Sequence, residues 1–247
     1  MLVRRPGPAA WCESRVEATF EQLHLLRTDQ GVAVGCDALR VDLVEHLCAA
    51  IGGLGIDADL RVDVFGPEVP LLDDGALRFA QALRQLELPA SCLRWRIAKP
   101  ATLRVDQSTY RFVPSSETHL VVHVEFDHPL VVEKTSAWHG DSDDFLHRIA
   151  SARTFGFRRD IAKLRAAGRA LCVDPSTVVV LNDDGTSESH PTGDECARHK
   201  LLDLIGDLTL AGGIPCGCIE ATRPGHRANH AIVAMARREG VLVRESE

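Results

Sequence analysis

The chain has 247 residues, 45% of them hydrophobic, enough to bury one large core or two smaller ones. Its net charge of −7 and its lack of any dense Lys/Arg block exclude a protein that binds nucleic acid through the phosphate backbone. There is no run of roughly eighteen uncharged apolar residues, and the stretch from Met1 to Trp11 lacks an apolar leader, so neither an integral membrane span nor an export signal is expected. A cytoplasmic, reducing location follows. There the eight cysteines, at 12, 36, 48, 92, 172, 196, 216 and 218, are expected as free thiols, most of them small core residues.

Residues 39–54 read as a helix ended by Gly52, Gly53 and Gly55, and the alternating run from Leu60 to Phe65 reads as a strand. Gly66-Pro67 breaks the chain, after which Leu77, Ala80, Leu83 and Leu86 give 76–88 a helical period. Near residue 91 a second unit begins. Its segments 93–97, 102–105, 110–113 and 119–126 carry β-branched and aromatic residues between turn signals, as an antiparallel meander does. Helices are predicted over 144–152, 158–167, 195–211 and 227–238, with strands over 176–181 and 217–221 and a polar loop over 182–194. The expected fold class is α+β, in two domains of mainly antiparallel sheet with packed helices, 1–90 and 91–247. Alternation in the last strand makes Cys216 and Cys218 two core thiols on one face rather than a metal pair.

The pattern His-x-x-x-Asp can chelate one metal, but eleven histidines make roughly one chance match unremarkable. The chain has four: His123/Asp127, His139/Asp143, His190/Asp194 and His199/Asp203. On a strand such residues lie roughly 13 Å apart, and on a helix about 6 Å, which removes the pair at His123. Gly140 and Ser142, and Pro191 and Gly193, disfavour a regular helix at the next two. In the survivor, Ala197, Leu201, Leu204, Ile205 and Leu208 form an apolar stripe and His199, Asp203 and Asp207 the opposite one. Such a polar stripe is usually a solvated face. Two features point the other way: Leu202 and Leu210 flank the polar stripe, and Gly206 within it permits close approach by another segment.

The string from Arg198 to Leu208, RHKLLDLIGDL, resembles the signature segment of the UDP-3-O-acyl-N-acetylglucosamine deacetylases of lipid A synthesis. Val44-Glu45-His46-Leu47, Gly66-Pro67-Glu68-Val69-Pro70, Phe126-Asp127-His128-Pro129, Ala152-Arg153-Thr154-Phe155-Gly156-Phe157 and Gly225-His226 with Asn229 resemble further family segments, in family order. The resemblance implies a zinc enzyme with its site between the two domains. It makes His46, His199 and Asp203 the metal ligands, Glu45 the general base, Thr154 the oxyanion donor and His226 the general acid supported by Asp207. It also implies substrate contacts from Lys200, Phe155, Phe157 and Ile161, with an acyl-receiving insert around 170–181. The implied substrate is UDP-3-O-acyl-N-acetylglucosamine, taken by a monomer.

The chain departs from the family in three places. Asp174-Pro175 interrupts the insert, Asp73-Asp74-Gly75-Ala76 stands where the family has Asp-Gly-Ser-Ala, and Ala18 to Leu23 differs from a Thr/Cys-rich segment. Family members also open with strands and a Gly-Leu-His loop before the part matching Val16 to Leu25, so this reads as an N-terminally shortened member. Two rival readings go with that: a non-catalytic paralogue that binds a sugar nucleotide, and a deacetylase of another N-acetylated sugar.

Overall fold

In the computed structural model, which describes residues 2–8, 10–13, 16–19, 22–29, 31–36, 39–89, 95–166 and 178–245, the chain opens with strands β1 (Leu2–Pro8), β2 (Ala10–Glu13) and β3 (Val16–Thr19). A three-stranded antiparallel sheet follows, made of β4 (His24–Arg27), β5 (Ala33–Cys36) and β6 (Leu39–Asp42). Helix α1 (Glu45–Gly53) comes next, and then β7 (Ala58–Val64), which completes a sheet in the order β1-β7-β2-β3. Residues 39–42 had been expected as the start of a helix and are a strand instead. Leu39 and Val41 are buried with Arg40 exposed between them, a period of two, and Leu43 at φ 58° cannot continue a right-handed helix.

Helix α2 (Leu77–Arg84) buries Phe79, Ala80 and Leu83, as its period predicts. Strands β8 (Trp95–Ile97), β9 (Ala101–Val105), β10 (Ser108–Val113), β11 (Thr118–His123) and β12 (Thr135–Trp138) lead to α3 (Ser142–Asp144), which runs into a π-helical turn, Phe145–Ile149. That turn replaces most of the regular helix expected over 144–152. Its wider winding still buries Phe145 and Ile149 completely. Beyond it lie β13 (Phe155–Phe157), α4 (Arg158–Ala166), β14 (Val179–Leu181), α5 (Glu195–Leu210), β15 (Gly217–Thr222), α6 (His226–Arg238) and β16 (Leu242–Arg244).

The largest sheet runs β12-β11-β15-β10-β9, so of the segments read as a meander β9 and β10 pair antiparallel as expected, whereas β8 pairs with β16 and β11 is separated from β10. Strand β15 enters between β10 and β11, antiparallel to the first and parallel to the second. Local pattern pairs strands in chain order, whereas β15 arrives only after α5 and competes for both edges. The fold is α+β with mostly antiparallel pairing. One apolar cluster joins both halves of the chain, including Leu47 and Ile51 of α1, Leu120 of β11 and Leu204 and Leu208 of α5. Burial of each such side chain contributes roughly 2 kcal/mol. The expected division near residue 91, and the core of the acyl insert with Cys172, Asp174 and Pro175, lie outside the described residues, as does Cys92. Cys48 and Cys196 are buried, but Cys36, Cys216 and Cys218 are only half-buried, so the last pair are not core thiols. The reason is register: Gly217, Ile219 and Ala221 take the inner face of β15, leaving Cys218 on the outer one.

Helix α5 is the axis of the arrangement. Thirteen of its positions are buried, His199, Asp203 and Asp207 among them, so its polar stripe is no solvated face. Helix α1 lies against that stripe at Gly206, where an added Cβ would meet the Glu45 carbonyl oxygen at 2.2 Å and the Ala49 nitrogen at 3.2 Å. Lower down, Gly52 meets Thr209 in the same way.

Candidate active site

The glycine contact sets His46, in the first turn of α1, beside the polar stripe of α5. One donor atom each from His46, His199 and Asp203 lies within 4.8 Å of the others, and all three residues are buried. His199 Nε2 is 3.4 Å from Asp203 Oδ1 and His46 Nε2 is 3.8 Å from the same oxygen. The two imidazoles meet edge to face at 5.1 Å. The other ring nitrogen of His199 donates to the Ala152 carbonyl at 3.1 Å, which fixes the tautomer and turns the Nε2 lone pair inward.

These contacts test whether the residues suit a metal. Both separations are too long for hydrogen bonds. Asp203 Oδ1 is buried without a hydrogen-bond partner among the described residues. Donors about 2.1 Å from a tetrahedral zinc stand about 3.4 Å from one another, close to the spacings observed. Burial, opposed by Asp203, lowers the His199 imidazole, and burial followed by the charge of His199 pushes His46 down to about 3. Both rings are therefore neutral, as ligation requires. Burial alone would raise the Asp203 carboxyl, but the positive charges of Lys200 and His226 hold it well below the usual range. The set fits a zinc-type ion.

Further groups surround this cluster. Glu45, the first residue of α1, accepts from the Val32 N–H at 2.8 Å, and burial, opposed by His226, raises its carboxyl. His226, the first residue of α6, gives its Nδ1 proton to Asp207 at 2.9 Å while its Nε2 stands 3.9 Å from Asp203. Burial and the α6 dipole both disfavour the imidazolium, yet Asp207, then Asp203 and Glu45, raise it to about 10. Lys200 Nζ bonds the outer oxygen of Asp203 at 2.7 Å and lies 5.5 Å over the Phe155 ring. Phe155 in turn meets His199 edge-on at 5.9 Å.

Three expected residues remain, Phe157, Ile161 and Thr154. Phe157 belongs to a satellite apolar cluster with Phe126, and Arg159 stacks on its ring at 4.5 Å. Ile161 is half-buried on α4. Thr154 is fixed by its backbone, donating to Asp74 O at 2.7 Å and accepting from Val179 N at 2.9 Å, two residues from the carbonyl that anchors His199.

Several neighbours escaped sequence reasoning. His230 donates to Asp207 Oδ1 at 3.1 Å, and their signal was the spacing of His226, Asn229 and His230, which share a helix face. The pair of Arg153 with Glu195, at 2.8 Å, left no local signal, since its members lie on separate elements.

A buried three-donor cluster flanked by a carboxylate and a carboxylate-bound imidazole, on an α+β frame, has the parts of a hydrolase site. The family model LpxC, described as UDP-3-O-acyl N-acetylglycosamine deacetylase, matches residues 7–236. UDP-3-O-acyl-N-acetylglucosamine deacetylases of Brucella ovis, Brucella canis and Brucella melitensis are each 37% identical to the chain over 212 residues, covering 83% of it and 74% of each relative. The chain belongs to the LpxC family and is a deacetylase of the hydrolase class. Among its described residues no helix is long and apolar enough to cross a membrane.

Proposed function

We propose that the chain removes the N-acetyl group of UDP-3-O-acyl-N-acetylglucosamine as acetate, in the cytoplasm and within lipid A biosynthesis, using zinc held by His46, His199 and Asp203. The observation that carries this reading is Asp203 Oδ1, without a hydrogen-bond partner among the described residues, between two neutral imidazoles. Bound there, the ion would supply Lewis acidity toward the amide carbonyl and lower the pKa of a water molecule.

The protein groups supply the proton traffic. Glu45, steadied by Val32 and raised by burial, takes a proton from the attacking water. The Thr154 hydroxyl donates to the carbonyl oxygen as that atom gains charge. His226 gives its Nε2 proton to the departing amine, keeping Nδ1 on Asp207, whose carboxylate stabilises the charged ring beforehand. The Lys200 ammonium presents positive charge at the site edge, beside the apolar surface of Phe155. Phe157 and Ile161 extend that surface toward the acyl chain.

The test is acetate release from UDP-3-O-acyl-N-acetylglucosamine together with metal analysis of protein never exposed to chelator. Turnover with about one zinc per chain is the expected result. Protein without zinc overturns the metal assignment, and zinc-loaded folded protein without turnover overturns the catalytic one in favour of a sugar-nucleotide binder.

A further inference from the structure

Asn229, three residues after His226 on α6, is 1% exposed and uses both ends of its amide. Its Nδ2 donates to Asp207 Oδ2 at 2.7 Å, and its Oδ1 accepts from the Tyr110 hydroxyl. Tyr110 belongs to β10 and is equally buried. His226 Nδ1 donates to the same Asp207 oxygen at 2.9 Å. A chain of hydrogen bonds therefore runs from the sheet through one amide and one carboxylate to the imidazole.

Donor and acceptor chemistry gives this chain a direction. An ionised carboxylate only accepts, so the amide must turn its NH2 toward Asp207. The amide oxygen then faces Tyr110, whose hydroxyl must donate. A carboxamide turned through a half-circle would set oxygen against oxygen at Asp207. With both ends buried, water does not replace a lost partner, and the tyrosine hydroxyl favours the one orientation that holds the carboxylate. His230 grips the other oxygen at 3.1 Å but has no bond onward to the sheet, so among the described residues only Asn229, through Tyr110, ties Asp207 to it.

We infer that Tyr110, acting through Asn229, is a positioning residue that sets the rotation of the Asp207 carboxylate and thereby aims His226 at the departing amine. The inference rests on the reading of His226 as general acid. Tyr110→Phe keeps the ring and removes only the hydroxyl. Its kcat for acetate release should fall about tenfold, with KM within about twofold and zinc content unchanged. In an Asp207→Asn background the same change should add nothing, because the carboxylate through which it acts is gone.

A second readout needs no turnover. The proton NMR resonance of His226 Nδ1–H, identified by its loss in His226→Ala, should shift or broaden in Tyr110→Phe. An unchanged kcat, losses that add to those of Asp207→Asn, or an unmoved resonance would each overturn the inference. If Tyr110→Phe does not fold, Asn229→Ser serves for the same three measurements. Full turnover by His226→Ala would overturn the acid assignment instead, and the resonance would still decide whether Tyr110 orients the pair.

Discussion

Replacing Gly206 by alanine sets two effects of opposite sign against each other. In an exposed helix interior the change should stabilise by about 1 kcal/mol, through helix propensity. At Gly206 the new Cβ would stand 2.2 Å from the Glu45 carbonyl oxygen, a backbone atom that cannot swing aside as a side chain does. Ordinary contact needs about 3.5 Å, so α1 and α5 must part by about 1 Å. Overpacking of this kind costs roughly 1–3 kcal/mol, which meets or exceeds the propensity gain and leaves a net loss of up to about 2 kcal/mol. The proposed metal site should suffer more than the fold. His46 rides on α1 and its two partner ligands on α5, and ligand distances tolerate only about 0.2 Å. Zinc affinity should therefore fall by about tenfold or more. Urea unfolding of the chelator-treated protein gives the first quantity, and competition with a chromophoric chelator the second. A Gly206→Ala protein more stable than its parent, with zinc affinity unchanged, would refute the close helix contact and the site built on it.

Other perturbations separate the roles further. Glu45→Gln should keep about one zinc and the Val32 hydrogen bond while turnover falls by roughly 10²–10⁴; an undiminished rate would remove Glu45 as the base. Chelation should abolish acetate release, with recovery on adding zinc, and should lower the melting temperature, since a ligand at a thousand times its Kd contributes about 4 kcal/mol; identical melting with and without metal would argue against a folded-state zinc site. Burial alone would raise the Glu195 carboxyl, but Arg153 holds it below its ordinary value, so its ion pair stabilises above the unfolded pKa of about 4.3 and is lost as pH falls through the lower folded value. Glu195→Gln should accordingly cost roughly 1–3 kcal/mol at neutral pH and progressively less in acid; a cost independent of pH would show that charge is not what Arg153 recognises.

The apolar periods of α2 and α5 were legible because each buries a regular set of side chains. The strand Leu39–Asp42 was missed because its two buried residues, Leu39 and Val41, abut the apolar run of α1, and only the left-handed Leu43 separates the two periods. The place of β15 was illegible for a different reason. Its partners are chosen in competition among strands far apart in the chain, and no local pattern records the outcome.

The candidate site was legible to a similar depth. Helical spacing brought His199 and Asp203 together, but nothing in the period of α1 places His46 against them; family resemblance pointed to His46, and the helix contact explains its place beside them. The physical trace was Gly206. A glycine costs a helix stability, and within a polar stripe it makes sense if a second backbone must come near. Here that backbone is α1 at Glu45, the residue before His46. The stripe of α5 is thus polar because it faces charge and imidazole across a helix seam, and the small residue in its midst is what distinguishes it from a solvated face.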